Sequence, residues 1–111
     1  NNVFYSTHFS TKAPATDKVP AFIEAYKAKY NAEPSTFNAL AYDSLYMIKQ
    51  AIEDQKSADS AAIQKGLANL KNFEGVTGTM TIDKDHNPEK SLVIVGLTDG
   101  KESSAETINA K

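Results

Sequence analysis

Residues 92–97 read LVIVGL. Leu92, Val93, Ile94, Val95 and Leu97 form a short, near-continuous apolar run, the pattern of a strand covered on both faces. This run constrains the fold more than any other feature. A doubly covered strand needs a layer above and a layer below, and the whole chain has only 111 residues. The order along the sequence is one strand, three helices, then strand and strand, which is the α/β class. An isolated sheet of about three strands with three helices covers such a run poorly. The segment reads as one made to be completed by other chain.

The other elements follow from periodicity and punctuation. Val3–Phe9 is β-branched and aromatic, and short enough for a strand. The polar stretch 10–18 is a loop or crossing segment, with Pro14 inside it and Pro20 just beyond. Asp17 stands where it can cap a helix whose first turn holds Pro20. Val19, Phe22, Ile23, Tyr26 and Tyr30 then recur at helical spacing, and Pro34 disfavours helical geometry at Glu33. Ser35 or Thr36 caps a second helix. Its apolar positions Phe37, Leu40, Ala41, Leu45, Ile48 and Ile52, widened by Met47 and Ala51, predict burial on more than one side. Asp59 or Ser60 opens a third helix with Ile63, Leu67 and Leu70 facing inward. From Phe73 the period changes to two: Met80 and Ile82 alternate with Thr79, Thr81 and Asp83, a half-buried strand. Residues 83–89 make a turn, Asp99-Gly100 a tight one. The polar last eleven residues end in a short edge strand or a frayed tail.

Composition narrows the chemistry. The hydrophobic fraction of 41% and charged fraction of 23% are those of a globular chain. Net charge is −2, and all 12 basic residues are lysine. A mildly acidic chain without arginine lacks the footprint that nucleic acid requires. It also lacks the usual bidentate grip on carboxylates, so backbone N–H, hydroxyl or lysine must hold any acidic ligand group. There is no cysteine, which removes disulfides, thiolate metal sites and thiol nucleophiles together. No apolar run approaches membrane-spanning length. The opening NNVFYSTHF has strand-like content and no initiator Met, so the chain is read as a piece of a longer precursor.

Catalytic and metal constellations find no support. Asp83, Asp85 and Asn87 have the spacing of a calcium loop's first ligands, but Pro88 stands where glycine is needed and Ile94 where a bidentate Glu is needed. A solvated turn is the better reading. His8 and His86, the two histidines, lie far apart with no partner at ligand spacing. Gly75 and Gly78 are too sparse for a nucleotide fingerprint, and a turn needing positive φ explains them. No cofactor is implied. Most of the tyrosines sit at core-like helical spacing. Phe37 and Tyr42 are different, because they flank the start of the second helix beside a loop. A helix N-terminus there offers unpaired N–H groups and a positive dipole end to a carboxylate or carbonyl.

Four stretches, in order and at these separations, carry a resemblance. They are FIEAYKAKY at 22–30, AYDS at 41–44 followed by Ala51-Ile52, FEGVTGTMTID at 73–83, and IVGLTDGK at 94–101. Together they resemble the C-terminal portion of the type I periplasmic-binding-protein family, nearest the branched-chain amino-acid and amide binding proteins of ABC importers. The resemblance covers nearly the whole chain. It implies a three-layer, two-lobe α/β fold with the ligand in the cleft, of which this chain is the final third or so and the run 92–97 a partial layer of a larger sheet. Residues 1–10 and 92–111 would supply strands of the second lobe. Residues 11–91 would supply helices and a strand of the first lobe, with crossing segments near 10–18 and 84–91.

The implied function is non-catalytic capture of a small amino acid outside the membrane, in a periplasm or lipid-anchored at a cell surface, and delivery to an ABC permease. The partners implied are the amino-acid ligand, that permease and the missing N-terminal part of the same protein. Most of the ligand grip would lie upstream. What maps here is the cleft-facing segment Phe37, Asn38, Ala39 and Tyr42, with Thr7 and His8 as weaker candidates. Relatives often carry a bulky residue near Ala39, so a small one would leave room for a larger ligand. The isolated chain is expected to bind leucine-like ligands weakly or not at all. Two other readings stay open: a ligand-sensing lobe of a receptor or regulator with the same fold, and a module that self-associates through its sheet edge.

Overall fold

A computed structural model describes residues 2–110. The elements run β1 (Val3–Thr7), α1 (Val19–Tyr30), α2 (Thr36–Gln55), α3 (Ser60–Ala68), β2 (Phe73–Glu74), β3 (Thr79–Ile82), β4 (Pro88–Glu89), β5 (Leu92–Thr98) and β6 (Lys101–Ile108). They form two three-stranded sheets, ordered β1-β5-β6 and β2-β3-β4, and every pairing in both is antiparallel. The α/β expectation holds, as part of a larger fold. Packing between the β1-β5-β6 sheet and the other elements is confined to isolated contacts. The Cα radius of gyration is 15.5 Å, against about 13 Å for a compact domain of this length. The β1-β5-β6 sheet makes one body of elements, and the three helices with the β2-β3-β4 sheet make another, linked through residues 8–18 and 83–91.

Local chemistry explains the boundaries. Lys18, not Asp17, is the N-cap of α1, and no side chain caps it. The Thr16 carbonyl takes the Val19 N–H at 3.3 Å instead, so backbone does what the Asp17 side chain was expected to do. Pro20 lies in the first turn as read. Asn31, left-handed at φ 51°, ends α1. Ser35 caps α2 through a reciprocal box with Asn38. Asp99 and Gly100 both take positive φ, at 51° and 73°, the signature of a two-residue hairpin loop between β5 and β6. β6 is an eight-residue strand, longer than its polar sequence suggested. The Asp83 turn is local chemistry: its Oδ1 accepts the backbone N–H groups of Asp85 and Asn87, both at 2.8 Å.

Burial departs from expectation in two places. The apolar stripe of α2 is largely open: Phe37 is 81% and Leu45 67% exposed. The buried positions are Ala39, Asp43 and Ala51. The packed face of α2 is therefore built from small residues and one acid, while Leu40, Met47 and Ile52 are half-buried and the rest of the stripe is open. In β5, Val93 and Val95 are buried, but the other face is covered only by cross-strand neighbours. The Phe4 ring and the Ser104 hydroxyl lie over Gly96, where an added Cβ would meet them at 3.1 and 2.5 Å.

The core gathers where α1, α2 and the turn after β2 meet: Phe9, Val19, Phe22, Ala39 and Val76, flanked by Ile23 and Tyr26. Phe9 and Phe22 stack edge to face, centroids 5.9 Å apart. The helices α2 and α3 pack closely at Ala51 and Gly66, where a Cβ on Gly66 would lie 2.6 Å from that of Ala51.

Candidate functional site

Two ends of chain converge at one place. β1 stops at Thr7, and the chain turns inward so that Phe9 and Ser10 are buried. The start of α2 stands beside it. The Thr7 hydroxyl lies 2.7 Å from the Thr36 hydroxyl, and Thr36 also donates to the Phe9 carbonyl at 3.4 Å. A residue of one body thus touches the first helical residue of the other. Next to Thr36, Phe37 projects its ring into the open. The first N–H groups of a helix have no intrahelical partner and carry the positive end of its dipole.

The capping box fixes what Asn38 can offer. Its Oδ1 accepts from the Ser35 N–H at 2.8 Å, while the Ser35 hydroxyl takes the Asn38 N–H at 3.3 Å. The carbonyl end of the carboxamide is committed, and Nδ2 is the end available to a ligand. His8 is exposed beside Thr7. Desolvation of its ring, and secondarily the charge of Lys90, hold its pKa below the ordinary histidine value, which favours the neutral imidazole.

The structure thus sets Thr7 against Thr36, the residue that precedes Phe37 and Asn38, with His8 next to Thr7 along the chain. Ala39 is not among them. It is wholly buried in the core, so its small size serves helix packing and its side chain reaches no ligand. The expectation that it widens a ligand pocket is withdrawn on that ground. Tyr42 lies on another side of α2. Its ring sits 4.7 Å from both Phe22 and Tyr46, against a groove of about 440 Å³ that also takes in Tyr26, Tyr30, Lys18 and Lys29.

The Tyr42 phenol yields a pH prediction. A hydrogen bond with Tyr46, then burial, then the neighbouring charges push its pKa up to about 12 from the ordinary 10.0. Folding favours the neutral form, so its contribution to stability is complete below pH 10 and disappears as pH rises through about 12. Near-ultraviolet titration of the native protein is expected to show Tyr42 ionising late. A hydrogen bond to Glu102 also raises the Tyr5 pKa, so a Tyr5→Phe background isolates the Tyr42 step. That late step should be absent from Tyr42→Phe, and its persistence there would assign it elsewhere.

The residues that sequence reasoning missed lie on the other side of the core. Asp43 is 2% exposed. Its Oδ1 accepts the Val76 N–H at 2.7 Å, and its Oδ2 accepts the Thr77 N–H at 2.8 Å and the Thr77 hydroxyl at 2.6 Å. Gly75 approaches so closely that a Cβ would fall 2.5 Å from the carboxylate. Gly75 is needed for that approach. Gly78, at φ 127°, is the glycine that needs positive φ. The signal was present, since an acid amid apolar helix neighbours must find donors when buried. The AYDS and FEGVTG stretches are the two halves of this one contact. Thr16 and Lys18 bind the same turn, donating to the carbonyls of Gly75 at 2.6 Å and Glu74 at 2.8 Å.

Comparison with known proteins places this geometry. The family described as periplasmic binding protein matches residues 1–102. The chain is similar to the branched-chain amino acid transporter substrate-binding protein LivJ from Streptococcus pneumoniae, solved with isoleucine. The TM-score is 0.85 and the identity 42%, over 96% of this chain and 30% of that one. It is similar to a leucine-binding protein LivK from Thermotoga maritima at TM-score 0.85 and 32% identity, over 97% of this chain and 31% of that one. A solute-binding protein from R. palustris, in complex with benzoate, shares the fold at TM-score 0.76 and 17% identity, over 99% of this chain and 30% of that one. The chain thus spans about a third of the length of these structures.

Proposed function

This chain belongs to the periplasmic binding protein family, whose neighbours here are non-catalytic substrate-binding proteins of ABC transporters, and we propose that it closes one side of a cleft that captures a branched-chain or closely related amino acid. The family implies an extracytoplasmic location. Residues 1–10 and 92–111 are assigned to one lobe and residues 11–91 to the other, with the connectors as crossing segments. Delivery to an ABC permease, and any lipid anchor, belong to this proposal.

The observation that carries it is the Thr7–Thr36 contact between the two bodies. It sets Thr7 and His8 of one body against Phe37 and the α2 N-terminus of the other, which is what a ligand held between lobes requires. Phe37 supplies an apolar surface for an aliphatic side chain, while Asn38 Nδ2 and helix N–H groups face polar atoms. The site recognises and does not react.

The test is titration calorimetry on the full-length protein with isoleucine, leucine and valine. Phe37→Ala is expected to weaken the best ligand at least about tenfold, the effect of removing one buried aromatic contact. The isolated 111 residues are expected to bind these ligands weakly or not at all. Parental affinity in Phe37→Ala, or micromolar binding by the isolated chain, would remove Phe37 or the two-lobe arrangement from the account.

A further inference from the structure

The two bodies are joined by two connectors, and the second is fastened in an unusual way. Lys90 lies between β4 and β5, half-buried. Its ammonium donates to the Thr77 hydroxyl at 2.5 Å. That hydroxyl donates in turn to Asp43 Oδ2 at 2.6 Å. Lysine, threonine and aspartate form a relay from the connector to α2. The next residue supports it, since the Ser91 hydroxyl lies against Gly78, 3.1 Å from where a Cβ would be. Residues 90–91 therefore dock on the 75–78 turn through two independent contacts.

The chemistry is costly for a residue that only fills space. Burial lowers the Lys90 pKa, and the Asp43 charge only partly opposes that. A methionine of similar length would fill the same volume without desolvating a charge. A half-buried ammonium aimed at a single hydroxyl instead supplies direction. Beyond Ser91 the chain enters β5, held in its sheet by β1 and β6.

We propose that Lys90 is the positioning residue of the hinge, pinning the second connector to the Asp43–Thr77 turn so that the two bodies pivot from one fixed point. This rests on the two-lobe capture reading. Without the pin, the connector leaves the turn in many directions, and fewer of them lead to closure on a ligand. The apparent affinity falls in proportion to the closure-competent fraction.

The experiment uses the full-length protein with one spin label on each lobe, and isoleucine and leucine as probes. In Lys90→Met the ligand-free interlobe distance distribution is expected to broaden. The dissociation constant for the better probe should rise about tenfold, the scale of a lost hydrogen bond to a charged group. Lys90→Arg is expected to restore most of both, and Thr77→Val to reproduce the defect by removing the acceptor. A Lys90→Met protein that loses only thermal stability, with parental distribution and affinity, overturns the proposal. Should Lys90→Met fail to fold, Thr77→Val decides by the same two readouts. A parent protein whose distance is unmoved by either probe sinks the capture reading and this inference with it. A parent that closes alongside an identical Lys90→Met sinks this inference alone.

Discussion

Asp43→Ala is expected to lower the unfolding free energy of the protein by about 3–5 kcal/mol. The carboxylate accepts two backbone N–H groups and one hydroxyl, and it is buried with Val76 and Thr77, each about 1% exposed. Alanine leaves all three donors facing the space that the carboxylate filled against Gly75. Each orphaned buried donor carries a desolvation penalty of about 1–3 kcal/mol, reduced where water enters the cavity. Natural proteins are stable by only about 5–15 kcal/mol, so the loss is a large part of the whole. Asp43→Asn separates shape from chemistry: it fits, but its NH₂ confronts donors, so it should also destabilise. Urea unfolding reads both. An Asp43→Ala midpoint within about 1 kcal/mol of the parent would mean that the turn rearranges to satisfy its own donors.

The second large effect lies at Gly66, where two arguments oppose each other. On propensity alone, Gly66→Ala in the last turn of α3 should stabilise by up to about 1 kcal/mol. On packing it should destabilise, because the new Cβ would lie 2.6 Å from the Cβ, 2.8 Å from the Cα and 2.9 Å from the carbonyl oxygen of Ala51. Two of those three atoms are backbone, which cannot rotate away, so packing wins and α3 must lift from α2. Gly66→Val adds volume and a β-branch, and is expected to cost about 3 kcal/mol. Thermal unfolding of both variants tests the order parent, Ala, Val. An alanine variant more stable than the parent would show that the helices can separate freely.

These two contacts mark where the sequence was legible and where it was not. Helix and strand positions could be read because their signals are local: Ser35 and Asn38 cap α2, Pro20 opens α1, and Asp99-Gly100 turns β5 into β6. The stripe Phe37, Leu45 and Ile48 was read as buried because apolar periodicity does not say whether the covering layer lies within the same 111 residues. The face that does pack, Ala39, Asp43 and Ala51, is nearly invisible to a hydrophobicity pattern because small residues mark close approach rather than apolar area. The candidate site was legible in part. Phe37, Asn38, Thr7 and His8 stood out singly, but only folding shows that positions 7 and 36 touch. Ala39 was misplaced by its nearness in sequence to Phe37, since two helical steps, about 200°, put the two residues on opposite sides of α2, one in solvent and one in the core. Asp43 and Lys90 went unread because a polar relay is defined by partners 13 and 34 residues apart, and spacing along the chain carries no trace of it.

The β1-β5-β6 sheet has two unlike edges. Along β1 stand Val3, Phe4 and Tyr5, all exposed, while β6 carries Lys101, Glu102 and Glu106, the charged kind of edge that resists further pairing. Of the two edges, β1 is the less charged and so the more open to a new strand. Under the proposed reading this makes the boundary ahead of Val3 a natural place to divide the polypeptide into two pieces. Reassembly would be addressed by the β1 edge and protected from mispairing by β6. A reporter split across that boundary would turn ligand occupancy into a measurable signal.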